Sequence, residues 1–177
     1  GIDRLLKGFS LLVNSQNVPS GINLTIVGPA DPISDQLRQD LCRELKLDVG
    51  RHVSFTGKVD EAERNRILSI SKAYIHLSRY EGFGLSVIQA LSAFKPVIVS
   101  RQVPTSDVIH NYNAGIVVDS TEEIANAIAT VFALSEEEYL QMARNARRCY
   151  EEQFHPDVIR PKLFDLYNKA ASGSFSN

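Results

Sequence analysis

Residues 79–90, RYEGFGLSVIQA, place a glycine-containing loop directly before an apolar helix. The run before it, residues 73–78 (AYIHLS), has the composition of a strand, so the sequence predicts strand, loop and helix in succession. Gly82 and Gly84 lack a Cβ, which lets the backbone turn sharply and approach a ligand closely. The unpaired N–H groups at the start of the helix, with the positive end of its dipole, suit a phosphate. We therefore expect a ligand site in this loop.

Strands and helices alternate on both sides of this loop. Such alternation predicts βαβ units, hence an α/β fold with a doubly wound parallel sheet and helices on both faces. Open parallel sheets bind ligands beyond the carboxyl ends of their strands. We predict strands over residues 22–27, 53–56, 73–78, 96–100 and 115–118, helices over 2–13, 33–47, 84–93 and 106–111, a helix that begins at Asp60, and a helical last third.

The composition of the 177 residues, with 44% hydrophobic and 23% charged, is that of one globular domain. Nineteen basic against twenty-one acidic residues give a net charge of −2, which does not indicate a nucleic-acid-binding surface. The sequence has no apolar run of the roughly 20 residues that a transmembrane helix needs. Cys42 and Cys149 form no C-x-x-C pair, and we expect reduced thiols in a cytoplasmic protein.

Four histidines, His52, His76, His110 and His155, lie far apart without the spacing of a metal motif. We therefore expect neither a bound metal nor a resident cofactor. His76, in the strand that leads to the loop, is the histidine nearest the expected site, although packing alone explains most such residues.

Glu81 and Gln89 are the polar residues that call for a specific ligand. Glu81 would repel a phosphate, whereas it can accept hydrogen bonds from the hydroxyls of a sugar. Ser86 and Gln89 are spaced i, i+3 and share one face of an otherwise apolar helix. If this face is buried, the Gln89 amide needs partners or costs about 1–3 kcal/mol. Neighbouring backbone would serve as well as a ligand.

Two other interpretations of the loop remain open. A dinucleotide fingerprint needs a third small residue where Val87 stands, but Arg101, in place of the expected acidic residue, suits the phosphate of NADP. A methyltransferase glycine loop usually lies near the beginning of its domain, which fits this position less well.

The combination of EGFGL at 81–85, QAL at 89–91 and PVI at 96–98 resembles the retaining glycosyltransferases of the GT-B fold, family 4 (group 1). Their hallmark is E-G-F-G-L-x-x-x-E-A followed by G-x-P-V-I. Further similar segments lie, in the same order, at residues 1–9, 24–28, 53–59, 107–109 and 115–118, so the resemblance covers essentially the whole chain.

This resemblance implies the C-terminal, nucleotide-sugar-binding domain of such an enzyme, with a Rossmann-like fold. It implies transfer of a sugar from a UDP-, GDP- or ADP-linked donor with retention of configuration. Glu81 is the expected catalytic residue, which holds donor hydroxyls and orients the sugar. The residues expected to bind the donor are Gly82, Phe83, Gly84, Leu85, Ser86 and Gln89. Gly57, Lys58 and Val59 are expected to contact the nucleotide base of the donor.

Two positions depart from the family pattern. Gln89 replaces the second glutamate, which in the family binds the donor ribose. Phe94 replaces a glycine two residues before Pro96, and we expect this bulky side chain close to the binding face. Both changes favour weaker donor binding. They also support an alternative, a degenerate donor domain that is kept for binding or assembly.

The resemblance also sets an expectation for the extent of the domain. The only methionine is Met142, and residues 2–13 already have helical spacing. We expect residues 1–177 to be a single donor-binding domain that lacks its first strand, the family's basic pair for the diphosphate, and the N-terminal domain. A glycan or lipid-linked acceptor would bind through that other domain. The piece alone is expected to be inactive, and the whole protein cytoplasmic or peripheral to a membrane.

Overall fold

A computed structural model describes residues 1–16 and 18–172. The predicted domain boundary at residue 177 lies outside the described residues. The strands are β1 (Leu24–Val27), β2 (Val53–Gly57), β3 (Tyr74–His76), β4 (Val97–Ser100) and β5 (Gly115–Val118). The helices are α1 (Ile2–Val13), α2 (Pro32–Glu44), α3 (Glu61–Ile70), α4 (Leu85–Ser92), α5 (Ser106–Asn111), α6 (Thr121–Ala133), α7 (Glu136–Cys149) and α8 (Pro156–Ala171), with a π-helical segment over Tyr150–Phe154 between the last two.

The structure confirms the α/β class and the parallel strands. β1 pairs with β2, and β4 lies between β3 and β5, all in parallel register. The sequence predicts a single sheet, whereas the described strands form two separately hydrogen-bonded sets, β1-β2 and β3-β4-β5. Three strands, β1, β3 and β4, are one to three residues shorter than predicted because pairing ends before the β-rich sequence does.

β4 is the most deeply buried strand, and all four of its residues are buried. Ile98 belongs to a core that includes residues of α1 and α6, whereas Val97 and Val99 belong to a second core with residues of α4, α5 and α7. Successive side chains of a strand point to opposite faces, which explains this division. Helices therefore cover both faces of β4, as the sequence predicts.

Helix starts follow the capping residues in the sequence. Ser135 and Glu138 form a complete capping box at the start of α7, with each side chain accepting from the other residue's backbone N–H. Asp60 caps α3 by accepting from the Glu63 backbone N–H at 2.8 Å. The Glu63 carboxylate accepts from Arg66 at 2.7 Å, so only one of the two bonds of a capping box is present at this helix.

A slot separates the two sets of strands. It is a cavity of about 900 Å³ whose walls include the whole of β1 and of β3. Within residues 1–16 and 18–172, β1 and β3 each pair with a strand on one side only. Leu24 and Tyr74 donate their N–H groups to His52 and Pro96, away from the slot. Because alternate residues of a strand direct their backbone groups to opposite sides, the N–H groups of the next residues, 25 and 75, face the slot.

The helix α3 covers this slot. None of its residues is buried, although Ile67, Leu68 and Ile70 line the cavity. Ile70 is 72% exposed. Apolar side chains of this helix therefore face the open slot.

Candidate functional site

The site loop begins at the carboxyl end of β3, which a serine fixes to β4. The Ser100 hydroxyl accepts from the Ser78 backbone N–H at 3.0 Å and donates to the Ser78 carbonyl at 2.8 Å. Ser100 is fully buried, so these two bonds are protected from competing water. The chain therefore leaves the sheet at a defined place before it enters the loop.

The loop turns into α4 at Gly84, whose backbone is left-handed with φ 82° and ψ 47°. A Cβ here would meet Val103 Cγ1 at 3.4 Å and Glu81 Cγ at 3.8 Å, both ordinary contacts. The backbone conformation, rather than lack of room, is thus what requires glycine at this position. At Gly82, by contrast, φ is not left-handed and a Cβ would meet nothing within 4 Å.

The N-terminus of α4 is open to a ligand. Gly84 supplies no side-chain cap, and the first turn contains no acidic residue. The first intrahelical bonds reach Gly84 O from Val87 and Ile88, so the N–H groups of Leu85 and Ser86 precede them. These groups carry the positive end of the helix dipole. The start of α4 therefore has free N–H groups and no competing acidic side chain in its first turn.

Glu81 is held by hydrogen bonds on both of its oxygens. His76 Nε2 lies 2.8 Å from Oε2, and the Phe83 N–H donates to Oε1 at 3.5 Å. The bond from His76 is the main reason why the pKa of Glu81 is below its ordinary value, with further help from the Phe83 and Gly84 backbone and against the opposing effect of burial. Glu81 is thus an ionised acceptor beside the start of α4.

Tyr74 is a residue of the site that the sequence reasoning missed. Its hydroxyl lies 3.4 Å from His76 Nδ1. Burial raises the pKa of this phenol, while the Ser86 hydroxyl opposes that shift by favouring the ionised form. The signal was available, because residues 74 and 76 of one strand must face the same side of the sheet.

Gln89 and Ser86 line the slot together, which confirms that they share one face of α4. The Gln89 side chain is exposed, so its amide does not need a partner from the neighbouring backbone. Among the described residues its amide makes no hydrogen bond to another part of the chain. The group therefore remains available to a ligand.

Phe83 and Leu85 point to the other side of the loop. They border a separate groove of about 400 Å³ that includes Phe154 and residues of α8. Phe83 also packs edge-on against Phe154, with 6.3 Å between ring centroids. Of the predicted loop residues, these two support the loop from outside rather than facing the slot.

The prediction that Phe94 lies close to the binding face is wrong. Phe94 follows the C-terminal end of α4, and eight helical residues span about 12 Å between it and the site loop. Its φ of 59° explains why glycine would suit this position. The Arg147 guanidinium stacks over the Phe94 ring at 5.3 Å and compensates for part of the strain.

The loop predicted to bind the nucleotide base, residues 57–59, lies at the same edge of the fold as Glu81 but apart from it. Gly57 ends β2 with a left-handed φ of 69°, and Lys58 is exposed. Thr56 lines the slot, whereas Gly57, Lys58 and Val59 are absent from its walls. β1 and the slot lie between this loop and the loop after β3, so the structure does not bring the two together.

The described residues offer neither a metal-binding cluster nor a membrane-spanning helix. Residues 1–16 and 18–172 contain no cluster of three or more His, Cys, Asp or Glu side chains placed to hold a metal ion. In the same ranges, no helix combines the length and the apolar character needed to cross a membrane.

Comparison with solved structures shows to which class of fold this chain belongs. HepE from Anabaena, solved in complex with UDP and glucose, matches with a TM-score of 0.80 at 18% identity, over 96% of this chain and 45% of that one. Sucrose-phosphate synthase from Thermosynechococcus elongatus matches with a TM-score of 0.77 at 24% identity, over 98% and 43%. The chain has the α/β fold of GT-B glycosyltransferases.

The sequence assigns the family. Residues 1–149 match the family model "Glycosyl transferases group 1", and the chain belongs to that family. A human relative, GDP-Man:Man(3)GlcNAc(2)-PP-Dol alpha-1,2-mannosyltransferase, is 26% identical over 150 residues, which are 80% of this chain and 30% of the relative. The chain thus spans about a third of the length of the curated relatives that it matches.

The two glycines of the loop should respond differently to alanine. We expect Gly84→Ala to lower the free energy of unfolding by about 1–2 kcal/mol, because a left-handed backbone is unfavourable for any residue with a Cβ. Gly82→Ala, the matched control, should change it by less than about 0.5 kcal/mol. Urea unfolding of both variants measures this, and a larger loss for Gly82→Ala would contradict the described turn.

Proposed function

We propose that this chain is the C-terminal, donor-binding domain of a retaining family 4 glycosyltransferase that uses a nucleoside-diphosphate sugar. The observation that carries the proposal is the glycine turn that places the open N-terminus of α4 beside the ionised Glu81. A nucleoside-diphosphate sugar needs two such groups side by side. The positive end of the helix dipole suits the diphosphate, and the carboxylate accepts hydrogen bonds from the sugar hydroxyls. Membership of the glycosyl transferases group 1 family supports the assignment.

The diphosphate takes the N–H groups at the start of α4. Leu85 and Ser86 donate them, and Gly82 leaves the open side on which the ligand approaches. As the bond to the sugar breaks, negative charge grows on the diphosphate, and fixed dipoles that point at it stabilise the transition state. The proposal assigns no role to a resident metal or cofactor, and the nucleotide sugar is the substrate.

Glu81 holds the sugar. Its Oε2 accepts from His76, and its remaining protein partners are the Phe83 N–H at 3.5 Å and, more weakly, the Gly84 backbone, so lone pairs remain for sugar hydroxyls. Gln89, one helical turn further along the face that carries Ser86, offers an amide to the ribose. An amide is not basic enough to accept a proton in the chemical step, so its contribution is to binding. The nucleotide base, with UDP, GDP and ADP as the candidates, would meet Gly57, Lys58 and Val59.

We also propose that a strand preceding Gly1 in the whole protein fills the slot. Gly1 lies at the carboxyl end of β3, where the Leu77 carbonyl occupies the place that a Cβ would take. A strand parallel to β1 and β3 would end beside this point. It would continue through α1 to β1, which is the usual crossover connection between parallel strands. The acceptor, a glycan or a lipid-linked saccharide, would bind to a further domain.

Two alternatives are weaker. An NADP site would need Arg101 for a phosphate, but its guanidinium already donates to Asp119 at 2.8 Å. Val87, where that site needs a small residue, is fully buried in the core. A degenerate domain without donor binding is favoured by Gln89 alone, and the affinity measurements below decide between it and the proposed enzyme.

Restoring the strand should change hydrogen exchange at defined amides. We expect Thr25 and Ile75 to exchange rapidly in residues 1–177 and to become as protected as Leu24 and Tyr74 when the chain is extended by the roughly 20 residues that precede Gly1. A matched extension with prolines at alternate positions of the strand should leave both amides unprotected. Rapid exchange at both amides in the natural extension would contradict the slot proposal.

Gln89 should act on donor binding and not on the chemical step. In the whole protein, we expect Gln89→Ala to weaken donor binding by about 1–2 kcal/mol, the value of one or two neutral hydrogen bonds, with little change in turnover at saturating donor. Gln89→Glu should bind at least as tightly as the natural protein. Calorimetry with a nucleotide and its 2′,3′-dideoxy analogue measures the ribose contribution.

The matched control is Gln39→Ala, which removes the same group from the exposed side of α2 and should leave donor affinity unchanged. If removal of the ribose hydroxyls costs the natural protein, Gln89→Ala and Gln89→Glu the same affinity, Gln89 does not contact the ribose. The degenerate-domain alternative would then gain support.

A further inference from the structure

We propose that His76 is a positioning residue, which holds the Glu81 carboxylate in its working orientation by donating from Nε2 while its Nδ1 accepts from Tyr74. The inference rests on the proposed function, because it concerns the carboxylate that we assign to the donor sugar. It concerns a histidine that the sequence alone leaves as a packing residue.

The three side chains form a continuous line at the end of β3. Tyr74 and His76 project from the same face of the strand, and their rings stack at 6.2 Å with an interplanar angle of 19°. The Tyr74 hydroxyl lies 3.4 Å from Nδ1, and Glu81 Oε2 lies 2.8 Å from Nε2. Both ring nitrogens of His76 therefore have a partner, and the partners lie on opposite sides of the ring.

The direction of these bonds follows from the chemistry of the groups. An ionised carboxylate only accepts, so Nε2 must carry the proton that lies between His76 and Glu81. In a neutral imidazole the other nitrogen, Nδ1, is then an acceptor, and the Tyr74 hydroxyl must donate to it. The shorter bond, to Glu81, therefore selects the tautomer, and the Tyr74 hydroxyl supplies the donor that Nδ1 then needs.

Glu81 depends on this bond for its orientation. Its other protein contacts come from the backbone: the Phe83 N–H lies 3.5 Å away, which makes a weak bond, and the Gly84 backbone contributes less. The Glu81 side chain is 25% exposed, so water is available to replace a missing partner. Without a donor at His76 Nε2, the carboxylate is free to turn away from the place where the sugar must bind.

The tautomer can be read directly in residues 1–177 by nitrogen NMR on histidine labelled with ¹⁵N, at a pH where the imidazoles are neutral. We expect His76 to show a pyrrole-like Nε2 and a pyridine-like Nδ1. Glu81→Ala should shift this signature towards the other tautomer and Tyr74→Phe should shift it less, while His110 serves as the internal control. A pyrrole-like Nδ1 in the natural chain, or a signature that Glu81→Ala does not change, would overturn the inference.

A pair of substitutions separates positioning from packing. His76→Phe keeps a stacked ring but has no donor, whereas His76→Gln places an amide N–H near the position of Nε2. In the whole protein we expect His76→Phe to lower kcat by roughly ten- to hundredfold, the value of a hydrogen bond to a charged group, with donor KM changed less than about threefold. His76→Gln should recover most of kcat, and Tyr74→Phe should cost less than His76→Phe.

Equal losses for His76→Phe and His76→Gln, in variants that unfold at the same temperature, would show a packing role and overturn the inference. If the natural whole protein transfers no sugar, the proposed function fails. The tautomer measurement on residues 1–177 still decides the inference in that case, because it requires neither donor nor turnover.

Discussion

The parallel pairing of β4 with β3 and β5 is the constraint on which the rest of the structure depends. All four residues of β4 are buried, and its side chains enter both hydrophobic cores. At its carboxyl end, Ser100 binds both backbone groups of Ser78 and fixes the place where the chain leaves β3. The position of Glu81 and the direction of α4 follow from that anchor.

The sequence predicts the fold well where local patterns decide it. The bounds of α5 and β5 are as predicted, and the ends of every strand lie within two residues of the predicted ones, because alternation, glycine turns and capping residues are local signals. The glycine turn into α4 is predicted for the same reason. The exposure of Gln89 and the distance of Phe94 from the site loop are not, since both depend on how a helix packs against the remainder of the chain.

What the sequence missed is long-range or involves two elements at once. Nothing local indicates that Tyr74 and His76 line up with Glu81, because the loop between them must first fold back towards the strand. The slot between β1 and β3 likewise appears only when the strand order is known. Ser86, Gln89 and His76 all line this slot, so the strand that we propose for it would also support the donor site.

The central claim is that the N-terminus of α4 beside Glu81 binds a nucleoside diphosphate. The most direct measurement is an NMR titration of ¹⁵N-labelled residues 1–177 with UDP, GDP and ADP, and with NADPH as the competing ligand. We expect weak but saturable shifts for at least one diphosphate, centred on the amides of Gly84, Leu85 and Ser86. Saturable shifts at these amides with NADPH alone, or diphosphate shifts confined to other parts of the chain, would contradict the claim.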